Sequence, residues 1–170
     1  FLPGSVVFVV RAAGSDYQEA TFTATELDND APPQIVYVKS DASGQQTGRS
    51  WIDAITSLQP ALDAAVCHPG TVSQIWVASG TYVPTARTDA LDPRSAQFRL
   101  LNGVALYGGF SGTESSLAQR DPAAHRTFLS AEIGDPNSRD DNTYHVIYSA
   151  GNDSTAVLDG VSSNLEQDHG

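Results

Sequence analysis

The chain has 170 residues, enough for one compact domain with its own core, and its 40% hydrophobic content excludes wholesale disorder. Twenty Asp and Glu against nine Lys and Arg leave a net charge of −11, which repels a phosphate backbone and excludes nucleic acid as a partner. No apolar run approaches the roughly 20 residues that span a bilayer, so membrane insertion is not expected.

The absence of Met and the start at Phe1 read as a piece of a longer product. The opening stretch lacks the basic leader and cleavage pattern of a signal peptide. Ser5 to Arg11 (SVVFVVR) is a continuous apolar run, which predicts a strand buried on both faces. Ala20 to Glu26 (ATFTATE) alternates small or aromatic residues with Thr and predicts a half-buried strand paired antiparallel with the first. Two strands make no stable core, so residues 1–34 read as the end of a preceding module or as a docking segment. Asp28 to Pro33 (DNDAPP) reads as a stiff linker into a second domain, residues 35–170.

Gln34 to Lys39 (QIVYVK) is the next predicted strand. Trp51, Ile55, Leu58, Leu62 and Val66 then recur at helical spacing. Pro60 forbids one unbroken helix but is tolerated in a first turn, which places a cap at Ser57 and an end at His68-Pro69-Gly70. Cys67 is the single cysteine, so the chain has no internal disulfide, and it reads as a small buried apolar side chain.

From Ser73 to Val161 short β-rich runs recur, each stopped by Gly, Asn or Asp: SQIWVASGTYV, NGVALYGGF, TFLSAEIG, TYHVIYSAG and TAVLDGV. The steps between them are too short for helix crossovers and too irregular for simple hairpins. This predicts stacked parallel strands: an all-β, right-handed parallel β-helix with a short N-terminal capping helix and the extra N-terminal strand pair. Ile75, Val77, Val104, Leu106, Phe128, Val146, Tyr148 and Val157 are the expected inward positions. No strict repeat length is visible.

The order of these segments carries a family resemblance. The Ser50-Trp51 turn, the Gly80-Thr81-Tyr82 strand, NGVALYGGF and Asp141-Asn142-Thr143-Tyr144-His145-Val146 together resemble the N-terminal part of bacterial surface proteins of the pectate-lyase-like superfamily. The likeness covers Ile35 to Val161. Residues 1–30 resemble the closing strands of an immunoglobulin-like or Calx-β surface module, mainly through ATFTATELDNDAPP. The resemblance implies an extracellular or cell-surface location and a structural or adhesive role, as one module of a longer chain. Self-assembly into a homo-oligomer or filament through residues 1–26, by strand addition, would follow from an unaccompanied strand pair.

Polysaccharide lyases on this fold use Ca2+ with an Arg or Lys base, which makes a polysaccharide-active lyase or glycoside hydrolase the competing expectation. The catalytic candidates are then Arg120, Asp121 and Glu132, the last two because hydrolysis needs paired carboxyl groups. The hard-cation candidate set is Asp135, Asn137, Asp140 and Asp141, residue types that any tight loop also uses. Trp76, Tyr82 and Tyr107 are the candidate sugar-stacking rings, if their strand neighbours point inward. No nucleophile elbow, phosphate loop or metalloprotease motif is present.

Overall fold

The computed structural model describes residues 34–164, and before them the strands β1 (Ser5–Val10) and β2 (Ala20–Thr25). The chain divides into two units, Phe1–Ala31 and Pro32–Gly170. In the first, β1 and β2 pair antiparallel as a two-stranded sheet, with Phe8 opposite Phe22. The expected linker at Asp28 to Pro33 lies outside the described residues.

The second unit runs β3 (Ile35–Val38), α1 (Leu58–Cys67), β4 (Gln74–Ala78), β5 (Gly80–Tyr82), β6 (Phe98–Arg99), β7 (Ala105–Phe110), β8 (Thr127–Ser130), β9 (Ile147–Tyr148), β10 (Val157–Asp159) and β11 (Val161–Asn164). Three small parallel sheets form, in the orders β10-β7-β4-β3, β11-β8-β5 and β6-β9. The expectation of an all-β right-handed parallel β-helix is corrected by this arrangement. Among the described residues there is one α-helix and strand makes up only 27%, so the protein is mixed α/β and no solenoid is evident there. The physical reason lies in the connectors. Their Asp, Asn and Ser side chains satisfy neighbouring backbone amides locally, as Asp135 does for Asn137 and Asp153 for Thr155, so much of the backbone never joins a ladder.

Where the chain changes sheet, it does so abruptly. Ser79 alone separates β4 from β5, and Gly160 alone separates β10 from β11. The end of β7 needs its two glycines. A Cβ on Gly108 would lie 2.4 Å from the Gly160 carbonyl oxygen. Gly109 has φ +91° and lies against Pro122, which a Cβ would meet at 2.6 Å.

The core joins Val36, Val38, Ile75, Val77 and Leu106 from the four-stranded sheet with Tyr82, Leu129 and Phe98 from the others and with Val146, just before β9. Helix α1 begins after Ser57, holds Pro60 in its first turn and ends at the His68 cap, as the spacing predicts. Leu58, Ala61, Leu62 and Ala65 join the same core. Two expected positions on this segment come out differently. Val66 is 58% exposed, because the buried stripe runs through Ala61 and Ala65 instead, and Cys67 is exposed beside it.

Ile75, Val77, Val104, Leu106 and Val146 are buried, as their alternation implies. Phe128 is half-buried, because Thr127 and Leu129 take the inner face of β8. Thr127 claims that place by donating its hydroxyl to the carbonyls of Val77 (3.2 Å) or Ala78 (3.3 Å) and accepting from Gly109 N at 3.1 Å. Leu158, paired with Leu106, packs on the core where Val157 was expected, and Tyr148 is exposed.

Candidate functional site

The four-stranded sheet is covered on both faces. Opposite the aliphatic core, β3, β4 and β7 place Tyr37, Trp76 and Tyr107 side by side in register. Cross-strand aromatic pairs of this kind stabilise a sheet. Trp76 stacks on Phe110 with centroids 4.8 Å apart and planes 13° apart, and meets Tyr37 edge-on at 5.6 Å. Trp51, from the loop after β3, packs edge-on to Tyr37 at 4.8 Å and against Phe110 at 5.4 Å. Arg120 lies over Tyr107, its guanidinium carbon 5.1 Å from the ring centroid.

Two loops close over this aromatic layer. The first, residues 39–53, folds on itself. Ala42 N donates to Lys39 O (3.1 Å), Gly44 N to Ile52 O (2.9 Å) and Gln45 N to an Asp53 carboxylate oxygen (2.9 Å). Just after this loop, Ile55 shields the outer edge of β3, since Lys39 N donates to Ile55 O and Ile55 N to Tyr37 O, both at 2.9 Å. The second loop, from Ser111, is organised by Glu114. Its carboxylate accepts from the amides of Ser111 (2.7 Å), Gly112 (3.0 Å) and Thr113 (2.9 Å). Partial burial alone would raise the Glu114 pKa, but the Ser111 and Thr113 amides outweigh it and bring it down to about 2. The loops meet where Trp51 donates its indole N–H to Glu114 O.

Between them lies a recess of about 310 Å3 whose lining includes Lys39, Asp41, Ser43, Trp51, Ile52 and Gly112. Lys39 Nζ and Asp41 form an ion pair at 2.5 Å, and the Lys39 hydrogen bond holds the Asp41 carboxyl below the usual carboxylate range.

The sequence candidates fall elsewhere, and mostly into structural tasks. Trp76 and Tyr82 are each 3% exposed, so neither ring offers a face to solvent. Trp76 donates to Gln74 Oε1 (2.7 Å) and Tyr82 to Ala78 O (3.1 Å). Burial pushes the Tyr82 hydroxyl up to about 12, against the opposing hydrogen bonds of Ser40. Tyr107 is half-buried beneath Arg120.

Arg120 pairs with Asp159 and reaches Gly108 O at 3.4 Å. Asp121 Oδ1 accepts from the amides of Ala123 and Ala124, each at 3.0 Å, and Glu132 Oε1 from Gly134 N at 3.0 Å. The two carboxylates thus hold their own loops.

Asp135 Oδ1 accepts from Asn137, backbone and side chain, and Asp141 Oδ2 accepts from Asp135 N at 2.6 Å. The other Asp141 oxygen and those of the Asn142 and Thr143 side chains are buried without partners, but they bring only one carboxylate. Among the described residues no group of three or more His, Cys, Asp or Glu is placed to hold a metal ion. Within the candidate set Asp135, Asn137, Asp140 and Asp141, the structure thus joins Asp135 to Asn137 and to Asp141 through loop hydrogen bonds.

The recess is not legible in the sequence, where Trp51 reads as part of an apolar helical stripe and of a Ser-Trp turn, with nothing to bring it to Glu114. One signal was present. IWVA in β4 is a continuous apolar run, which implies that the sheet is covered on both faces. No protein-family model, curated protein or solved structure matches the chain. Among the described residues no helix is long and apolar enough to cross a membrane.

Proposed function

We propose that this protein is an extracellular module with a structural or adhesive role, making contact through its surface without turning over a substrate. The observation that carries this reading is the use to which its polar groups are put. The carboxylates of Asp121, Glu132, Asp135 and Glu114 accept backbone amides, and Arg120 bridges Asp159 to the aromatic layer. Groups engaged in this way hold loops in shape and are poorly placed to move protons on a substrate. The resemblance of its motif order to that of bacterial surface proteins supports export, and the charge of −11 suits a soluble exterior. Polysaccharide is the partner this surface suits. Self-assembly belongs to the same reading, supported by β1 and β2 forming, among the described residues, a sheet of two strands, too few to be stable alone.

The test is incubation with a panel of polysaccharides, with and without Ca2+, followed by reducing-end and unsaturated-product assays. No product is expected. Turnover that Asp121→Asn abolishes would make the protein a polysaccharide-active enzyme instead. For assembly, removal of residues 1–30 is expected to abolish filaments or oligomers seen by electron microscopy. Unchanged assembly would reject that part of the reading.

A further inference from the structure

The recess between the loops after β3 and β7 has the composition of a sugar site. We propose that it binds a single hexopyranose ring of a neutral glycan, with Trp51 and Ile52 as the apolar wall and Lys39, Asp41 and Ser43 as partners for the hydroxyls. This rests on the binding-module reading above and names its ligand class.

The chemistry is matched on two sides. A pyranose has one face rich in C–H groups and an equatorial rim of hydroxyls that both donate and accept. Ile52 is 70% exposed and Trp51 is partly exposed, an apolar wall beside the charged pair. In the same lining, Lys39 offers donors only, Asp41 acceptors only and Ser43 both. The Lys39–Asp41 pair leaves each group with further capacity, since an ammonium has three protons and a carboxylate about four lone-pair positions. A vicinal diol can bridge such a pair, donating to Asp41 and accepting from Lys39.

Charge sets the class. Asp41 offsets Lys39 within the recess and the chain is strongly acidic, so phosphorylated and sulfated ligands are disfavoured. Size agrees, because about 310 Å3 lies at the lower end of small-molecule sites, which span roughly 300–1,000 Å3.

The walls are already fixed. Trp51 is tied to Glu114, Gly44 N to Ile52 O, and Lys39 crosses Gly112 so closely that a Cβ there would meet its Cε at 2.6 Å. Little ordering remains for the ligand to impose. A single shallow ring site of this kind should bind with a dissociation constant on the order of 1 mM.

The experiment is titration of the isotope-labelled protein with methyl glucosides, galactosides, mannosides and N-acetylglucosaminides, followed by amide and indole N–H shifts. Saturable shifts are expected at the Trp51 indole and at residues 39–53 and 111–114 for at least one sugar. Asp41→Asn and Ser43→Ala should each weaken binding about tenfold while leaving the circular dichroism and melting temperature unchanged. Absence of saturable shifts with every sugar overturns the inference. Shifts that saturate elsewhere also overturn it, yet leave the binding-module reading standing. Cleavage of a glycan during the titration removes that reading itself.

Discussion

The indole N–H of Trp51 donates to the backbone carbonyl of Glu114 at 2.8 Å, joining two loops that lie 63 residues apart in the chain. Each loop folds locally, and this bond, with the close approach of Lys39 to Gly112, holds them together above the outer face of the four-stranded sheet. Trp51→Phe keeps a ring against Tyr37 and Phe110 but removes the donor. The expected cost is about 1–2 kcal/mol in urea unfolding, combining a lost hydrogen bond with reduced packing. The recess should also lose its sugar-dependent shifts, as its wall loosens.

Glu114 makes the second loop sensitive to acid. Its pKa falls from an ordinary 4.5 to about 2 on folding, so the unfolded chain takes up this proton first. The stabilisation is complete above about pH 4.5 and is lost as pH falls towards about 2. Glu114→Gln keeps one acceptor but turns an amide donor towards a backbone N–H. At neutral pH it should cost about 1 kcal/mol, modest because the side chain is only partly buried. Melting curves of the two proteins should converge as pH is lowered from about 4.5 to about 2.

At the alkaline end Tyr82 acts in the opposite sense. Its folded pKa of about 12 exceeds the ordinary 10.0, so the unfolded state ionises first and stability falls as pH rises from 10.0 to about 12. Tyr82→Phe should flatten that decline while losing the bond to Ala78 O. Melting temperatures at a series of alkaline pH values check this.

Thr127 tests the corner between the parallel sheets. Thr127→Val preserves shape but leaves the Gly109 amide without its hydroxyl acceptor, in a position that is 1% exposed. A loss of about 1–3 kcal/mol is expected in urea unfolding, with slopes unchanged. An equal loss in Thr127→Ser, which retains the hydroxyl, would show that the methyl group matters more than the bonds.

The legible parts of the fold were those governed by one simple periodicity. Pro60 and Ser57 located α1, and the aliphatic residues of the short β-rich runs placed Ile75, Val77, Val104 and Leu106 inside. Alternation failed where a polar side chain took an inner place. Thr127 turned Leu129 inward and left Phe128 half-buried, an outcome set by carbonyls some fifty residues away. The architecture itself was misjudged because recurrence of short strands says nothing of how much chain between them will bond locally. Nor was the site legible. Trp76 and Tyr82 are buried, and the recess joins Lys39 to Gly112, a proximity that no local motif encodes.

Co-sedimentation with insoluble polysaccharides, with soluble products assayed in the same tubes, tests the central claim most directly. The protein should pellet with at least one neutral polysaccharide and release nothing from it, Asp121→Asn should pellet equally, and Asp41→Asn should stay in solution. Release of soluble sugar, or retention lost in Asp121→Asn but kept in Asp41→Asn, would contradict the account.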